Sequence, residues 1–165
     1  MSETPTRRLL ILGCSDRKND VAPDSPQQLF SFMTKRRARS LAAWEIYAGV
    51  AFQVVKRCQR EGAFPPDIDI VILSAKYGII TPEREITYYD LKMTPELAGR
   101  QGEANVRLLG EMMRAKKYRE IFLMMGRTYL LALEPLEGWC VGARIIHEPS
   151  DIGVMLRRLK GWLRS

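Results

Sequence analysis

Residues 69–78 read Asp-Ile-Val-Ile-Leu-Ser-Ala-Lys-Tyr-Gly, and this stretch decides the fold. Its first five residues form a short, apolar, β-branched run, which is typical of a strand that is covered on both faces of a parallel sheet. Polar and aromatic residues begin where that strand would end. In open α/β sheets, ligands bind outside the carboxyl ends of the strands. We therefore expect a parallel α/β sheet with a ligand site that begins at Ser74.

Strand-like and helix-like segments alternate on both sides of this stretch. The apolar patterns predict strands at 8–13, 69–74, 120–125 and 143–147, and helices at 40–60, 95–116, 130–133 and 151–163. Thr94 and Pro95 supply an N-cap and a first-turn proline for the second of these helices. The alternation predicts one three-layer α/β domain, residues 1–165, with a mainly parallel sheet of about four strands flanked by helices.

Composition limits the classes of protein that this chain can belong to. No apolar run approaches the roughly 20 residues of a membrane span, and the polar start is followed by too short an apolar run for a secretory signal. We therefore expect no membrane partner and a cytoplasmic location. Three cysteines, odd in number and far apart, fit a reducing compartment. No metal-ligand spacing is visible, so we expect no metal and no cofactor. The oligomeric state is left open.

The charge of the chain indicates an anionic partner. The formal net charge is +7, and the sequence pI is near 9.5. Such a balance attracts polyanions, and it predicts a nucleic acid, nucleotide or nucleobase ligand. The densest basic cluster, and our candidate nucleic-acid-binding set, is Lys35, Arg36, Arg37 and Arg39.

Polar side chains follow three of the predicted strands, and a parallel sheet would bring them to one edge. Cations and hydroxyls there suit a phosphate or carboxylate, and tyrosines suit a flat ring. The structural alternatives stay open, because serines at strand ends often cap turns and buried cysteines and tyrosines often belong to the core. The candidate ligand-binding residues are Cys14, Ser15, Lys18, Ser74, Lys76, Tyr77, Gly78, Tyr89 and Arg127.

Asp90 is the candidate catalytic residue. It follows Tyr88 and Tyr89, so a carboxylate stands beside rings that could hold a base. A carboxylate that activates water or stabilises a sugar cation is what hydrolysis of an N-glycosidic bond requires. Asp90 could instead cap the turn that follows it. The residues leave open whether the protein is an enzyme.

Residues 74–93 resemble the YaaA family of peroxide-stress, DNA-associated proteins. The recurrent segment of that family reads Ser-Gly-x-Tyr-Gly-x-Leu-x-Pro, then an apolar position, Pro-Tyr-Arg and a closing Met. The positions in register here are Ser74, Tyr77, Gly78, Pro82, Ile86, Tyr89 and Met93. The chain is also similar to small bacterial and phage proteins with a Ser-Cys-Ser-x-x-Lys opening and a Ser-Ala-Lys-Tyr-Gly segment.

The resemblance implies association with DNA or nucleotides in stress-response or base-modification settings, and a fold akin to uracil-DNA glycosylases. The chain departs from the YaaA pattern where Ala75 replaces a glycine, Tyr88 a proline and Asp90 an arginine. The last change removes the positive charge that the family carries at that position.

Three functional hypotheses follow. The first is a protein that binds a nucleobase, nucleotide or nucleic acid end at the strand-end pocket, either as a binding protein alone or as an N-glycosidase-like hydrolase, with Tyr77 or Tyr89 stacked on the base. The second is a non-catalytic DNA-binding stress-response protein that grips phosphates with the basic cluster and the closing helix. The third is an enzyme that acts on another anionic metabolite.

Overall fold

The structure is a computed structural model that describes residues 6–14, 40–147 and 150–165. The strands are β1 (Arg7–Gly13), β2 (Ser40–Ala42), β3 (Ile68–Ser74), β4 (Gly78–Ile80), β5 (Glu85–Thr87), β6 (Tyr118–Met124) and β7 (Arg144–Ile146). The helices are α1 (Ala43–Ile46), α2 (Val50–Arg60), α3 (Pro95–Ala115), α4 (Arg127–Leu130) and α5 (Ile152–Leu163). Short 3-10 turns cover Leu131–Leu133 and Leu136–Gly138.

The main sheet has five strands in the order β4-β3-β1-β6-β7. Strands β3, β1, β6 and β7 run parallel, and β4 returns antiparallel along β3. The predicted α/β class and the mainly parallel sheet are therefore confirmed. The predicted count of about four strands is wrong by one. The chain reverses after β3 through Gly78, whose φ of +71° is a left-handed conformation that favours glycine, and so adds an edge strand.

Strand β1 forms the centre of the core. Leu9, Leu10, Ile11 and Leu12 are fully buried, as expected for a strand with a neighbour on each side and cover on both faces. Buried side chains of β3, β6, α2, α3 and α5 complete the same apolar cluster. The unbroken apolar run in β1 is thus explained by its central position.

The predicted helix at 40–60 is wrong at residues 40–42 and is interrupted at 47–49, whereas α1 and α2 are helical. Residues 40–42 form β2, which pairs antiparallel with β5 in a separate two-stranded sheet. The backbone N–H groups of Ala43 and Trp44 then donate to the carbonyls of Arg84 and Pro82, at 2.8 and 2.9 Å. These contacts with a distant segment take precedence over the local helical pattern. Only α2 keeps the predicted amphipathic form, after a break at residues 47–49.

The other helices match the sequence closely. The Thr94 hydroxyl oxygen accepts a hydrogen bond from the Leu97 N–H at 3.2 Å, so the predicted N-cap of α3 is confirmed. Helix α5 begins after Asp151, which caps it in the same way. The short helix predicted at 130–133 begins earlier, as α4 at Arg127, and continues as a 3-10 turn. None of the helices in the described ranges is long and apolar enough to cross a membrane.

Candidate ligand site at the carboxyl edge of the sheet

The ends of β1, β3 and β6 meet at one edge of the sheet. The Cys14 sulfur lies 3.0 Å from the Tyr129 hydroxyl, and it accepts a hydrogen bond from the Ala75 N–H at 3.3 Å. A side chain directly after β1 therefore contacts groups that follow both of its neighbours. At the end of β7, Nε2 of His147 lies 3.2 Å from the Met125 carbonyl, so a fourth strand end joins the same edge.

Three buried hydroxyl groups form a closed ring under this edge. The Tyr47 hydroxyl donates to Ser74 Oγ at 3.1 Å, Ser74 Oγ and the Tyr89 hydroxyl are 2.7 Å apart, and the two tyrosine hydroxyls are also hydrogen-bonded. If each hydroxyl donates one hydrogen bond and accepts one, all three are satisfied within the ring. Burial raises the pKa of Tyr47 to about 12 and also raises the pKa of Tyr89. Both phenols are therefore neutral at physiological pH.

The same serine shapes the turn between β3 and β4. Ser74 Oγ accepts hydrogen bonds from the backbone N–H groups of Lys76 and Tyr77, at 3.2 and 3.1 Å. Ser74 is fully buried and Tyr89 is 6% exposed. Ser74 and Tyr89, both predicted to bind ligand, thus stabilise the turn from the protein interior. Tyr77 is more exposed than Tyr89.

Helix α3 fixes this turn from the side. Gln101 Nε2 donates to the carbonyl oxygens of Ser74 and Ala75, at 3.2 and 2.7 Å. Asn105 Oδ1 accepts from the Ile79 N–H at 3.1 Å, which satisfies a backbone donor on the outer edge of β4. A Cβ on Gly78 would lie 2.6 Å from Asn105 Oδ1. Gly78 is therefore placed where both its backbone conformation and its lack of a side chain are needed.

The sequence interpretation missed Tyr47, Gln101 and Asn105. Tyr47 fell within an apolar stripe and was assigned to a helix core. The signal for Asn105 was an amide on the face of α3 that carries the buried Leu109, because a buried polar side chain needs partners. Asn105 also donates to the Ala132 carbonyl at 3.0 Å, so its amide contacts groups on both sides of α3.

Two cations lie next to Tyr77 on the accessible part of the edge. Lys76 Nζ is 5.3 Å and Arg84 Cζ is 5.4 Å from the centroid of the Tyr77 ring, within cation–π range. The Tyr77 hydroxyl lies 3.2 Å from Thr87 Oγ1. Burial alone would raise the pKa of Tyr77, but the hydrogen bond with Thr87 and the charge of Lys76 lower it. Arg84 was not among the predicted site residues, and only the fold brings it to this ring.

The remaining candidates are exposed or undescribed. Asp90 and Arg127 are exposed, Asp90 directly after the buried Tyr89 and Arg127 in the first turn of α4. Both are accessible to a ligand. The candidates that lie outside the described residues are Ser15, Lys18, Lys35, Arg36, Arg37 and Arg39.

A cavity of about 700 Å³ is lined by the amino-terminal half of β3 and by residues 81–83. Its main acidic group, Asp69, accepts hydrogen bonds from Tyr118 at 2.7 Å and Lys116 at 3.2 Å, and it is ion-paired with Arg7. Burial alone would raise the pKa of Asp69, but these three partners outweigh it and hold the pKa at about 2. Because this carboxylate is already saturated by protein groups, the carboxyl edge is the stronger candidate for a ligand site. In the described ranges, no three His, Cys, Asp or Glu side chains are grouped to hold a metal.

The fold and the site define an α/β protein whose polar and aromatic groups gather at the carboxyl edge of a mostly parallel sheet. A family model described as a family of unknown function, DUF6884, matches residues 28–160. The chain therefore belongs to this family. No curated protein matches the chain.

Proposed function

We propose that this protein binds a nucleobase, a nucleotide or a nucleic acid end at the carboxyl edge of its main sheet. The observation that carries the proposal is the convergence of Cys14, Ala75 and Tyr129, which puts the polar segments after three parallel strands within contact distance. Sites of this kind form where the segments after neighbouring parallel strands meet. The net charge of +7 favours an anionic ligand there.

The described residues supply both an aromatic ring and cations to the proposed site. Lys76 and Arg127 offer exposed positive charge for phosphate, and Tyr77 is the half-buried ring beside which Lys76 lies. We include cleavage of an N-glycosidic bond in the proposal, with Asp90 as the assisting carboxylate. In that step the bond between the sugar C1′ and the base nitrogen breaks, a water oxygen bonds to C1′, and a proton of that water ends on the base.

A second candidate is a non-catalytic DNA-binding protein of the stress response. The observation that favours it is the exposed basic face of α5, which carries cations near the end of the chain. The exposed cations of that segment are Arg157, Arg158, Lys160 and Arg164. Binding of this kind would neutralise the phosphates of the DNA backbone and would not recognise a single free nucleotide.

The proposal also covers the layering of the fold, the number of domains and the cellular location. We propose that helices cover both faces of the main sheet to give a three-layer arrangement, and that the chain forms one domain. We also propose a cytoplasmic location, which the odd and scattered cysteines support; all three are free thiols.

A thermal-shift screen tests the binding proposal first. The purified protein is heated with free bases, nucleosides, nucleotides and short single- and double-stranded oligonucleotides at moderate salt. A monomeric ligand that binds the native state raises the melting temperature, and that outcome is expected. Stabilisation by oligonucleotides alone, lost steeply as salt rises, would favour the DNA-binding candidate. If none of these compounds shifts the melting temperature, the remaining hypothesis is an enzyme that acts on an anionic metabolite of another class.

Asp90→Asn tests the catalytic part. With the nucleoside or nucleotide that the screen identifies, we expect release of free base to fall by on the order of a hundredfold or more, since a general acid or base contributes about that much. Binding should change little, because the amide keeps the shape of the carboxylate. Glu83→Gln, an exposed carboxylate in the same segment, is the matched control. Unchanged release of base in Asp90→Asn would remove Asp90 from the mechanism.

A further inference from the structure

The positions of Lys76 and Arg84 differ from what base stacking on Tyr77 requires. A base that stacks on a tyrosine needs a free ring face. Here Lys76 Nζ and Arg84 Cζ both lie within cation–π distance of the Tyr77 ring, and Lys76 Nζ is also 5.8 Å from the centroid of Tyr89. Tyr89 packs against Tyr77 as well, with the two ring centroids 5.6 Å apart at an interplanar angle of 81°. Two cations and a second ring therefore already contact the Tyr77 ring, and they leave less of its surface for a base.

Neither of these two cations is ion-paired within the part of the chain that the structure describes. Among the described residues, no carboxylate forms a salt bridge with Lys76 or Arg84. Several other described cations are paired with Asp or Glu, namely Arg7, Arg8, Arg57, Lys116, Arg119 and Arg144. Two unpaired positive charges held beside one half-buried ring thus remain available to an anion.

The backbone under these cations is tightly fixed. Lys76 lies in the turn whose carbonyl groups bind Gln101 and whose N–H groups bind Ser74 Oγ. Arg84 lies where β5 approaches α1, since its carbonyl accepts from the Ala43 N–H and its N–H donates to the Thr81 carbonyl, at 2.8 and 3.2 Å. Two segments that are separate in sequence therefore bring one cation each to the same ring. Because the backbone at both positions is held and each cation packs on the Tyr77 ring, the pair loses less entropy on binding than two unrestrained side chains would.

We propose that Lys76 and Arg84, held beside Tyr77, form a phosphate subsite, and that the ligand of this protein is a phosphorylated nucleotide or a nucleic acid end and not a free base or nucleoside. This inference rests on the proposed function and names its ligand class. The Arg84 guanidinium offers several N–H donors that match phosphate oxygens, and the Lys76 ammonium adds a point charge. The base then lies beyond the phosphate, on another part of the edge, and does not stack on Tyr77.

The test compares ligands that differ only in phosphate. Titration calorimetry measures the affinity of wild type, Lys76→Gln and Arg84→Gln for a set of nucleosides, for their 5′-monophosphates, for short oligonucleotides with and without a 5′-phosphate, and for inorganic phosphate. We expect each variant to lose on the order of tenfold in affinity for the monophosphate and for phosphate, since a charge-assisted hydrogen bond contributes that much. Arg107→Gln, which removes an equally exposed cation from the middle of α3, should change neither affinity.

The outcomes separate the subsite from the proposed function. Monophosphate binding that is undiminished in Lys76→Gln and Arg84→Gln would overturn the subsite and leave nucleotide binding intact. Phosphate binding that depends on Arg84, without binding of any nucleotide or oligonucleotide, would retain the subsite and overturn the proposed function. No binding of phosphate, monophosphate or 5′-phosphorylated oligonucleotide by wild type would overturn the subsite whatever else binds. A thermal melt of each variant without ligand confirms that it is folded.

Discussion

At the scale of single residues, Ser74 shows how a side chain that looks functional can be fully used by the fold. Its hydroxyl oxygen has four neighbours within 3.2 Å, two phenols and two backbone N–H groups. A hydroxyl with that many partners has no free hydrogen bond for a ligand. We infer that this serine fixes the turn on which Lys76 and Tyr77 stand.

Gly78 allows this interpretation of the turn to be tested. Gly78→Ala should lower the free energy of unfolding by about 2–4 kcal/mol, because a left-handed φ costs about 1–2 kcal/mol and the new Cβ collides with Asn105 Oδ1. Urea denaturation measures the change. Gly62→Ala is the matched control, since Gly62 has a similar φ of +67° and no atom within 4 Å of its would-be Cβ. Equal costs at the two glycines would show that the contact with Asn105 adds nothing.

At the scale of elements, α3 is the support of the candidate site. Thr94 caps its first turn. Gln101 then binds the turn between β3 and β4, and Asn105 binds the outer edge of β4. Because β4 is an edge strand, its outward N–H groups need partners or become sites of unwanted strand pairing. The Asn105 amide supplies one such partner from within the chain.

Asn105→Ala should therefore destabilise more than an ordinary amide truncation. The Ile79 N–H would lose its acceptor in a buried place, and an unsatisfied buried donor costs about 1–3 kcal/mol. We expect a loss of that size in urea denaturation, and faster hydrogen exchange at the Ile79 amide. Asn105→Asp keeps an acceptor for this N–H but loses the donor to the Ala132 carbonyl, so it separates the two bonds. Unchanged exchange at Ile79 in Asn105→Ala would contradict the capping role.

The sequence predicted best the elements that are long enough for the repeat of apolar residues to be recognised. Strands β1, β3 and β6 each have seven residues, and α3 has 21, so their apolar patterns are unambiguous. Among the described three-residue strands, β7 was predicted but β2, β4 and β5 were not, because three residues are too few for a pattern to distinguish a strand from a loop consistently. Likewise, the meeting of Cys14, Ala75 and Tyr129 followed from parallel topology, whereas the approach of Arg84 to Tyr77 depends on the β2–β5 pairing and was invisible in the sequence.

At the scale of the whole molecule, the two edges of the main sheet carry different kinds of charge. The amino edge has saturated ion pairs around Asp67 and Asp69, and the carboxyl edge has Lys76 and Arg84, which form no ion pair with a carboxylate of the described ranges. Saturated pairs contribute to stability, and unpaired cations are available to ligands. This division predicts that acid stability and ligand binding respond to different residues.

Acid denaturation tests the amino edge. The folded pKa of Asp69, about 2, lies below the ordinary value of 3.8, so its contribution is complete above about pH 4 and is lost as the pH falls from 4 to 2. Asp69→Asn should lower the free energy of unfolding by about 2 kcal/mol at pH 7 and should flatten its decline between pH 4 and 2. Urea melts at a series of pH values measure this slope. Glu61→Gln, at an exposed helical pair, is the control, and an identical decline in Asp69→Asn and wild type would contradict the assignment.

Arg8 connects the amino edge of the sheet to helix α5. It is 1% exposed, it forms a two-bond ion pair with Asp67 at 2.7 and 3.1 Å, and it donates to the Trp162 carbonyl of α5 at 2.7 Å. Arg8→Lys should cost about 2–4 kcal/mol, because residue 8 is buried and an ammonium there cannot reproduce the planar fork that reaches both Asp67 and the Trp162 carbonyl. Hydrogen exchange should quicken in α5, while the Ile79 amide at the opposite edge keeps its protection relative to global unfolding. Loss of that relative protection in Arg8→Lys would mean that the two edges are coupled through β1, and that ligand binding at the carboxyl edge should then stabilise α5.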